Sequence, residues 1–252
     1  MEIDEEAPAF TELVPLPASG RTFTACRRVR LSDADARGRL RLDAAARYLQ
    51  DVAGDDVNET GWGSGHFWLV RRTVIQVIRQ ISMDELVELT TWSSGTGSSA
   101  ASRRTTLAGD RGGLIEAEAV WVHLNRELRP ERFGGDFLEV YCPSANGRKI
   151  TPRLELPDPP ETAERSPWPL RLCDLDVLGH LNNAAYWEAV EEAAACRRVS
   201  LARPLEAVLE FRRPIDLEDE VELLSSPEEN GFGLALAAAG AIRAVALVRV
   251  AA

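Results

Sequence analysis

Apolar side chains recur at Leu42, Ala45, Ala46, Leu49, Val52 and Ala53, with Arg47, Gln50 and Asp51 outside that face. This is the i, i+3, i+4, i+7 spacing of one helix face, and it predicts a helix over about 42–55. Ahead of it, residues 22–31 alternate as a strand does. Behind it, after a break at GWGSG (61–65), four strand-like runs occupy 67–78, 85–94, 100–107 and 114–124. The stretches between the later runs, GTGSS and GDRGG, hold the glycines that hairpin loops need. A second round follows, with a strand over 169–173, a helix from about 183 to 197, and strands near 205–214, 219–225, 232–239 and 241–251. Residues 130–168 change character and end in the Pro-rich LPDPPETAERSPW, which reads as a linker. Residues 1–20, with acids and three prolines, show no period and form a lead-in.

The two rounds share more than their order. Aligning residues 32–40 with 173–181 keeps Asp33 with Asp174, Asp35 with Asp176, Gly38 with Gly179 and Leu40 with Leu181 at one offset (174 − 33 and 179 − 38 both give 141). His180 of the second copy stands where the first has Arg39. The pattern predicts an α+β chain of two related units, of which the second retains the chemistry. The expected boundaries are 1–140 for the first unit, 141–168 for a linker and 169–252 for the second. At 252 residues the chain has the length for two small domains.

Composition narrows the classes of function. A formal charge of −11 argues against nucleic acid or an anionic membrane surface as partner. No run of eighteen apolar residues exists and the first residues are acidic, so neither a membrane span nor a secretory signal is expected. Cys26, Cys142, Cys173 and Cys196 are scattered without metal-ligand spacing, which predicts reduced thiols, no metal and a cytoplasmic protein.

The order of elements, together with DLDVLGHLNNAAYW at 174–187, resembles the hotdog fold, a long helix wrapped by an antiparallel sheet. Two such units in one chain, with FWLVRRTVIQVIRQISMDELVELTTW, LIEAEAVWVHLNRELRPERF and LEFRRPI, resemble the acyl-acyl-carrier-protein thioesterases of bacteria and plants over nearly all of residues 22–250. The resemblance implies a catalytic second unit and a first unit that supplies much of the acyl pocket. Asp176 and His180 match the family's catalytic Asp and His, and Asn182, Asn183 and Tyr186 match its motif. Two departures stand out: Leu178 replaces an Asn of the plant members, and Pro214 and Ile215 replace a Glu-Cys pair. At this loop the chain is closer to single-hotdog 4-hydroxybenzoyl-CoA-type thioesterases, whose working group is the second Asp of a DxD pair, here Asp176.

Thioester hydrolysis needs a donor at the carbonyl oxygen and a base or nucleophile at the carbon. Backbone N–H groups from Gly179 to Asn183, at a helix start, are the candidate donors, with Gly179, Asn182 and Asn183 as substrate-binding residues. Asp176 serves as general base or as nucleophile, the alternative being a turn cap. His180 orients substrate or water, Asn183 is the expected helix N-cap, Asp174 is structural, and Glu192 either reaches the site or is solvated. Cys173 is placed on a strand, which argues against a Cys-His nucleophile. Arg27, Arg28 and Arg30, Arg71 and Arg72, Arg103 and Arg104, and Arg212 and Arg213 are candidate contacts for the carrier. The expected activity is hydrolysis of acyl-ACP or acyl-CoA thioesters to free fatty acid, with no cofactor. The chain's acidity sits awkwardly with an acidic carrier and keeps acyl-CoA open. The alternatives are a non-catalytic acyl-CoA or acyl-ACP binding protein and a hotdog hydratase or dehydratase. The repeat acts as a built-in dimer, and a further homodimer stays open.

Overall fold

The computed structural model describes residues 10–63 and 66–251, so the lead-in over 1–9 and residues 64–65 of the GWGSG break lie outside the described residues. The first round builds β1 (Thr22–Arg28), α1 (Leu42–Glu59), β2 (Phe67–Arg79), β3 (Leu86–Thr96), β4 (Ala100–Gly109) and β5 (Leu114–Leu124), followed by α2 (Gly135–Ala145). The second builds β6 (Glu164–Trp168), α3 (Ala185–Arg197), β7 (Leu205–Phe211), β8 (Val221–Glu228), β9 (Gly231–Ala238) and β10 (Ala241–Val250). Each long helix is preceded by a short 3-10 turn, at Leu31–Asp33 and Leu172–Asp174.

All ten strands join one antiparallel sheet in the order β1-β3-β4-β5-β2-β7-β10-β9-β8-β6. Read inward from either edge, the two halves have the same connectivity, and they meet where β2 pairs with β7. That junction has a measurable centre. Leu40 N–H donates to the Ile81 carbonyl and Leu181 N–H to that of Ile215, which makes 81 and 215 counterparts at an offset of 134. At the same offset Val74 corresponds to Val208, and these two residues face each other across the β2–β7 ladder. An approximate two-fold axis therefore passes between them. The apolar core is continuous across this axis, including Leu42, Leu49 and Ile75 from the first half and Trp187, Val190 and Leu209 from the second. Both α1 and α3 bury one face against the sheet, as their periodicity requires.

Two expectations need correction. The stretch read as a linker contains α2, whose Phe137 and Tyr141 are buried and which joins Trp62 and Phe133 in a separate aromatic cluster. Burying Phe137 alone contributes about 2 kcal/mol. Gly134, Gly135 and Pro143 disguise this helix as a breaker-rich loop, yet the glycines stand at its start and Pro143 in its last turn. The strand expected over 169–173 lies at β6 instead, five residues earlier. It carries Pro167, pairs only with β8 and forms the sheet's edge, where a residue without an N–H is tolerated.

Candidate active site

The second-copy motif folds into a closed turn ahead of α3. Asp174, 6% exposed, accepts the Arg171 backbone N–H at 2.9 Å and pairs with its guanidinium at 2.7 Å, while the Asp174 carbonyl receives the Asn182 N–H. It is structural, as expected. Leu175 bridges Leu181, and the Asp176 N–H donates to the His180 carbonyl at 2.8 Å. Reversing the chain within so few residues requires a left-handed backbone at Gly179, φ +81°, which glycine adopts without steric penalty.

Asp176 closes that turn with one oxygen. Oδ1 accepts the N–H of Leu178 at 2.8 Å and of His180 at 3.2 Å. The second oxygen, Oδ2, has no hydrogen-bond partner among the described residues. The turn cap that the sequence offered as the alternative role is thus made by Oδ1 alone and leaves Oδ2 over.

His180 Nε2 lies 3.5 Å from Oδ1 of Asp216, and the two residues form an isolated antiparallel bridge. Asp216 was not singled out in the sequence; it follows the Pro214-Ile215 departure by one residue, and only the fold brings it to His180. The Asp216 N–H donates to Asp219 at 3.0 Å, and Arg243 lies 3.7 Å from Asp219. The phenol of buried Tyr186 is held above its ordinary range by burial first, against the pull of Arg243, with Asp176, Asp216 and Asp219 adding to the rise. It therefore remains a neutral donor at any working pH.

Neither asparagine caps α3 with its side chain, contrary to expectation: the cap position falls on Ala184, and Asn182 Oδ1 instead accepts the Ala184 N–H at 2.9 Å in the turn leading into the helix. Asn183 is half-buried and lines a narrow cavity of about 20 Å³ with Gln50, Trp121, Trp187 and Phe211. Its own N–H has no partner among the described residues. Gln50 and Trp121 also line a larger, mostly apolar cavity of about 190 Å³ in the first half, walled by Val57, Trp68, Phe137 and Tyr141. The narrow space at the start of α3 is thus continuous in its lining residues with a deep apolar one.

The first-copy turn has the same backbone, with Gly38 also at φ +81°, and different occupants. Asp35 Oδ1 accepts the N–H of Arg37 and Arg39 at 2.8 and 3.0 Å, but its Oδ2 is taken by Arg39 Nε at 3.1 Å. Arg39 also grips Glu191 of α3 through both guanidinium nitrogens, at 3.1 and 2.5 Å. Glu191 Oε1 in turn accepts the Leu42 N–H at 2.7 Å. The counterparts of Asp176 Oδ2 and of the Asn183 N–H are thus both occupied here.

Several other expectations are revised. Cys173 sits in the 3-10 turn rather than on a strand, and is exposed. Glu192 is exposed, and its neighbour Glu191 is the helix carboxylate that reaches a motif, the first one. Most arginine pairs are engaged internally, Arg103 with Asp56, Arg104 with Glu116, and Arg72 with Glu155. Arg213 is exposed. Among the described residues there is no cluster of three or more His, Cys, Asp and Glu that could hold a metal ion, and no helix is long and apolar enough to cross a membrane.

Comparison with known proteins agrees with this anatomy. Residues 20–141 match the acyl-ACP thioesterase N-terminal domain and residues 158–241 the acyl-ACP thioesterase C-terminal domain. An uncharacterised protein of Mycobacterium tuberculosis is 31% identical over 94% of this chain and 95% of its own length. The chloroplastic oleoyl-acyl carrier protein thioesterase of Coriandrum sativum is 26% identical over 74% of this chain and 58% of its own. In fold, an acyl-ACP thioesterase from Bacteroides thetaiotaomicron superposes with a TM-score of 0.74 at 16% identity, covering 90% of this chain and 97% of that one. The 12:0-ACP thioesterase of Umbellularia californica gives 0.73 at 17%, covering 90% and 96%. With both domain models matched in order, and with a motif turn ahead of each long helix, this chain belongs to the acyl-ACP thioesterase family.

Proposed function

We propose that the family's reaction, hydrolysis of an acyl-ACP thioester to free fatty acid and carrier thiol, runs at the second-copy turn. In this reading the chain is a tandem of two hotdog units, one ending with α2 and one beginning with β6. The thioester carbonyl oxygen sits at the N–H of Asn183, at the positive start of α3, where a developing negative charge is stabilised. The acyl chain extends past Gln50 into the apolar first-half cavity. Asp176 Oδ2 takes a proton from the attacking water, while Oδ1 keeps the turn in place. His180, steadied by Asp216, lies beside the departing sulfur, and neutral Tyr186 supports the loop from beneath.

The observation that carries this reading is the contrast at the helix starts. The Leu42 N–H of the first half already holds a carboxylate oxygen of Glu191, at 2.7 Å. The equivalent N–H, that of Asn183, has no partner among the described residues, and Asn183 lines a cavity. A backbone position that binds a negative oxygen in one half is open in the other.

The test is free-thiol release from a panel of acyl-ACP and acyl-CoA thioesters, with wild type compared to Asp176→Ala. Loss of a general base predicts about a 100- to 10,000-fold fall in kcat. In ¹⁸O-water the first-turnover fatty acid carries the label if water attacks directly. Unlabelled first-turnover product would assign Asp176 as nucleophile, and undiminished release by Asp176→Ala would remove it from the mechanism.

A further inference from the structure

Resting on that reading of the site, we infer that Gln50, from the first half, completes the pocket for the thioester oxygen, its side-chain amide donating to the same oxygen as the Asn183 N–H. The periodicity of α1 places Gln50 outside the apolar face, as a solvated residue. It is half-buried instead, and its amide has no hydrogen-bond partner among the described residues. It lines both the space beside Asn183 and the apolar cavity, the junction where a thioester would pass between them.

The approximate two-fold axis explains why it is there. At the motif offset of 141, Leu42 corresponds to Asn183 and Gln50 to Glu191. Glu191 crosses from α3 to the Leu42 N–H, so its counterpart crosses from α1 toward the Asn183 N–H. The two positions differ by one functional group. A carboxylate can only accept, so Glu191 occupies the N–H it faces and closes that half. An amide can donate, so Gln50 leaves the Asn183 N–H available and adds a second donor aimed at the same oxygen. Two donors from opposite halves would hold an oxyanion more tightly than a flat carbonyl oxygen, which is the preference that raises kcat.

The test compares Gln50→Met and Gln50→Glu by steady-state kinetics, by ¹⁵N–¹H spectra of the Asn183 amide, and by calorimetric binding of dodecanoate. Gln50→Met keeps the length of the side chain and removes the donor; its kcat falls about 100-fold, the usual effect of losing one oxyanion donor, with KM little changed. Gln50→Glu reproduces the first-half arrangement. The Asn183 amide proton then moves downfield as it bonds the new carboxylate, turnover is lost, and dodecanoate binding weakens more than tenfold through like-charge repulsion. The Asn183 resonance and the dodecanoate affinity do not depend on which group attacks. Loss of activity in Gln50→Met alongside an active Asp176→Ala would therefore overturn the role of Asp176 and leave this one standing. Wild-type kcat in Gln50→Met, or an unmoved Asn183 amide in Gln50→Glu, would overturn the role of Gln50.

Discussion

The two motif turns of this chain share a backbone and differ in what their polar atoms touch. In the first, Arg39 takes the outer oxygen of Asp35, and Glu191 takes the N–H of Leu42. In the second, the corresponding oxygen of Asp176 and the N–H of Asn183 have no internal partners among the described residues. The glycines match to the degree, both at φ +81°, so backbone conformation does not separate an open turn from a closed one. The difference is satisfaction: a turn whose hydrogen-bonding capacity is spent within the protein is structure, and one with capacity left over can bind.

The comparison can be broken by exchanging equivalent substitutions. Asp176→Asn should reduce kcat by about 100- to 10,000-fold, because the amide still caps the turn but cannot take a proton. Asp35→Asn, at the equivalent position, should leave kcat unchanged. Steady-state assays of both settle it, and equal losses would mean that the first turn also takes part.

Arg39→Ala tests whether the first half is a lock between the units. It leaves the half-buried Glu191 without its cation, and unfolding in urea should register a loss of about 2 kcal/mol, as for a hydrogen bond to a charged group. Adding Glu191→Gln to that variant should recover part of the loss. An unchanged midpoint for Arg39→Ala would make the cross-half contact incidental.

The smallest effect is in acid. Burial pushes the Asp35 carboxyl up, but the backbone N–H groups of Arg39 and Arg37 and the Arg39 charge more than reverse this, holding it below the usual 3.8. For Asp43, burial is likewise outweighed by Arg41 and Arg47. With folded values depressed, their stabilisation is complete above pH 3.8 and drains away as pH falls through the lower folded values. A urea midpoint measured across this range should decline in wild type and decline less in Asp43→Asn, whose starting stability is lower.

Much of this was legible in the chain. The helices α1 and α3 and the strands β2 to β5 announce themselves because a half-buried helix or strand must alternate at its own period. The two motif turns were legible because a repeat compares a chain with itself, and the exchange of Arg39 for His180 marks where the copies differ in charge. Elements whose stability comes from their neighbours were not legible. α2 is held by Trp62 and Phe133, and β6 by β8, against local sequences rich in breakers. The same limit applies within the site. Asp216 and Glu191 reach the turns from elsewhere in the fold, Gln50 lines the space beside Asn183, and no local pattern distinguishes them from solvated residues. That α3 starts at Ala185 with Ala184 as its cap, and not at Asn183, is a shift of one or two residues, finer than periodicity resolves.

The junction at Val74 and Val208 carries a consequence for how such a site arises. Had the two halves remained separate copies of one gene product, every substitution would have appeared on both sides of the axis, and no position could have become arginine at one turn and histidine at the other. Within one chain the two positions are free to differ. With only the second turn open, titration with a tight-binding substrate analogue should saturate at one equivalent per chain, where a pair of identical units would take two.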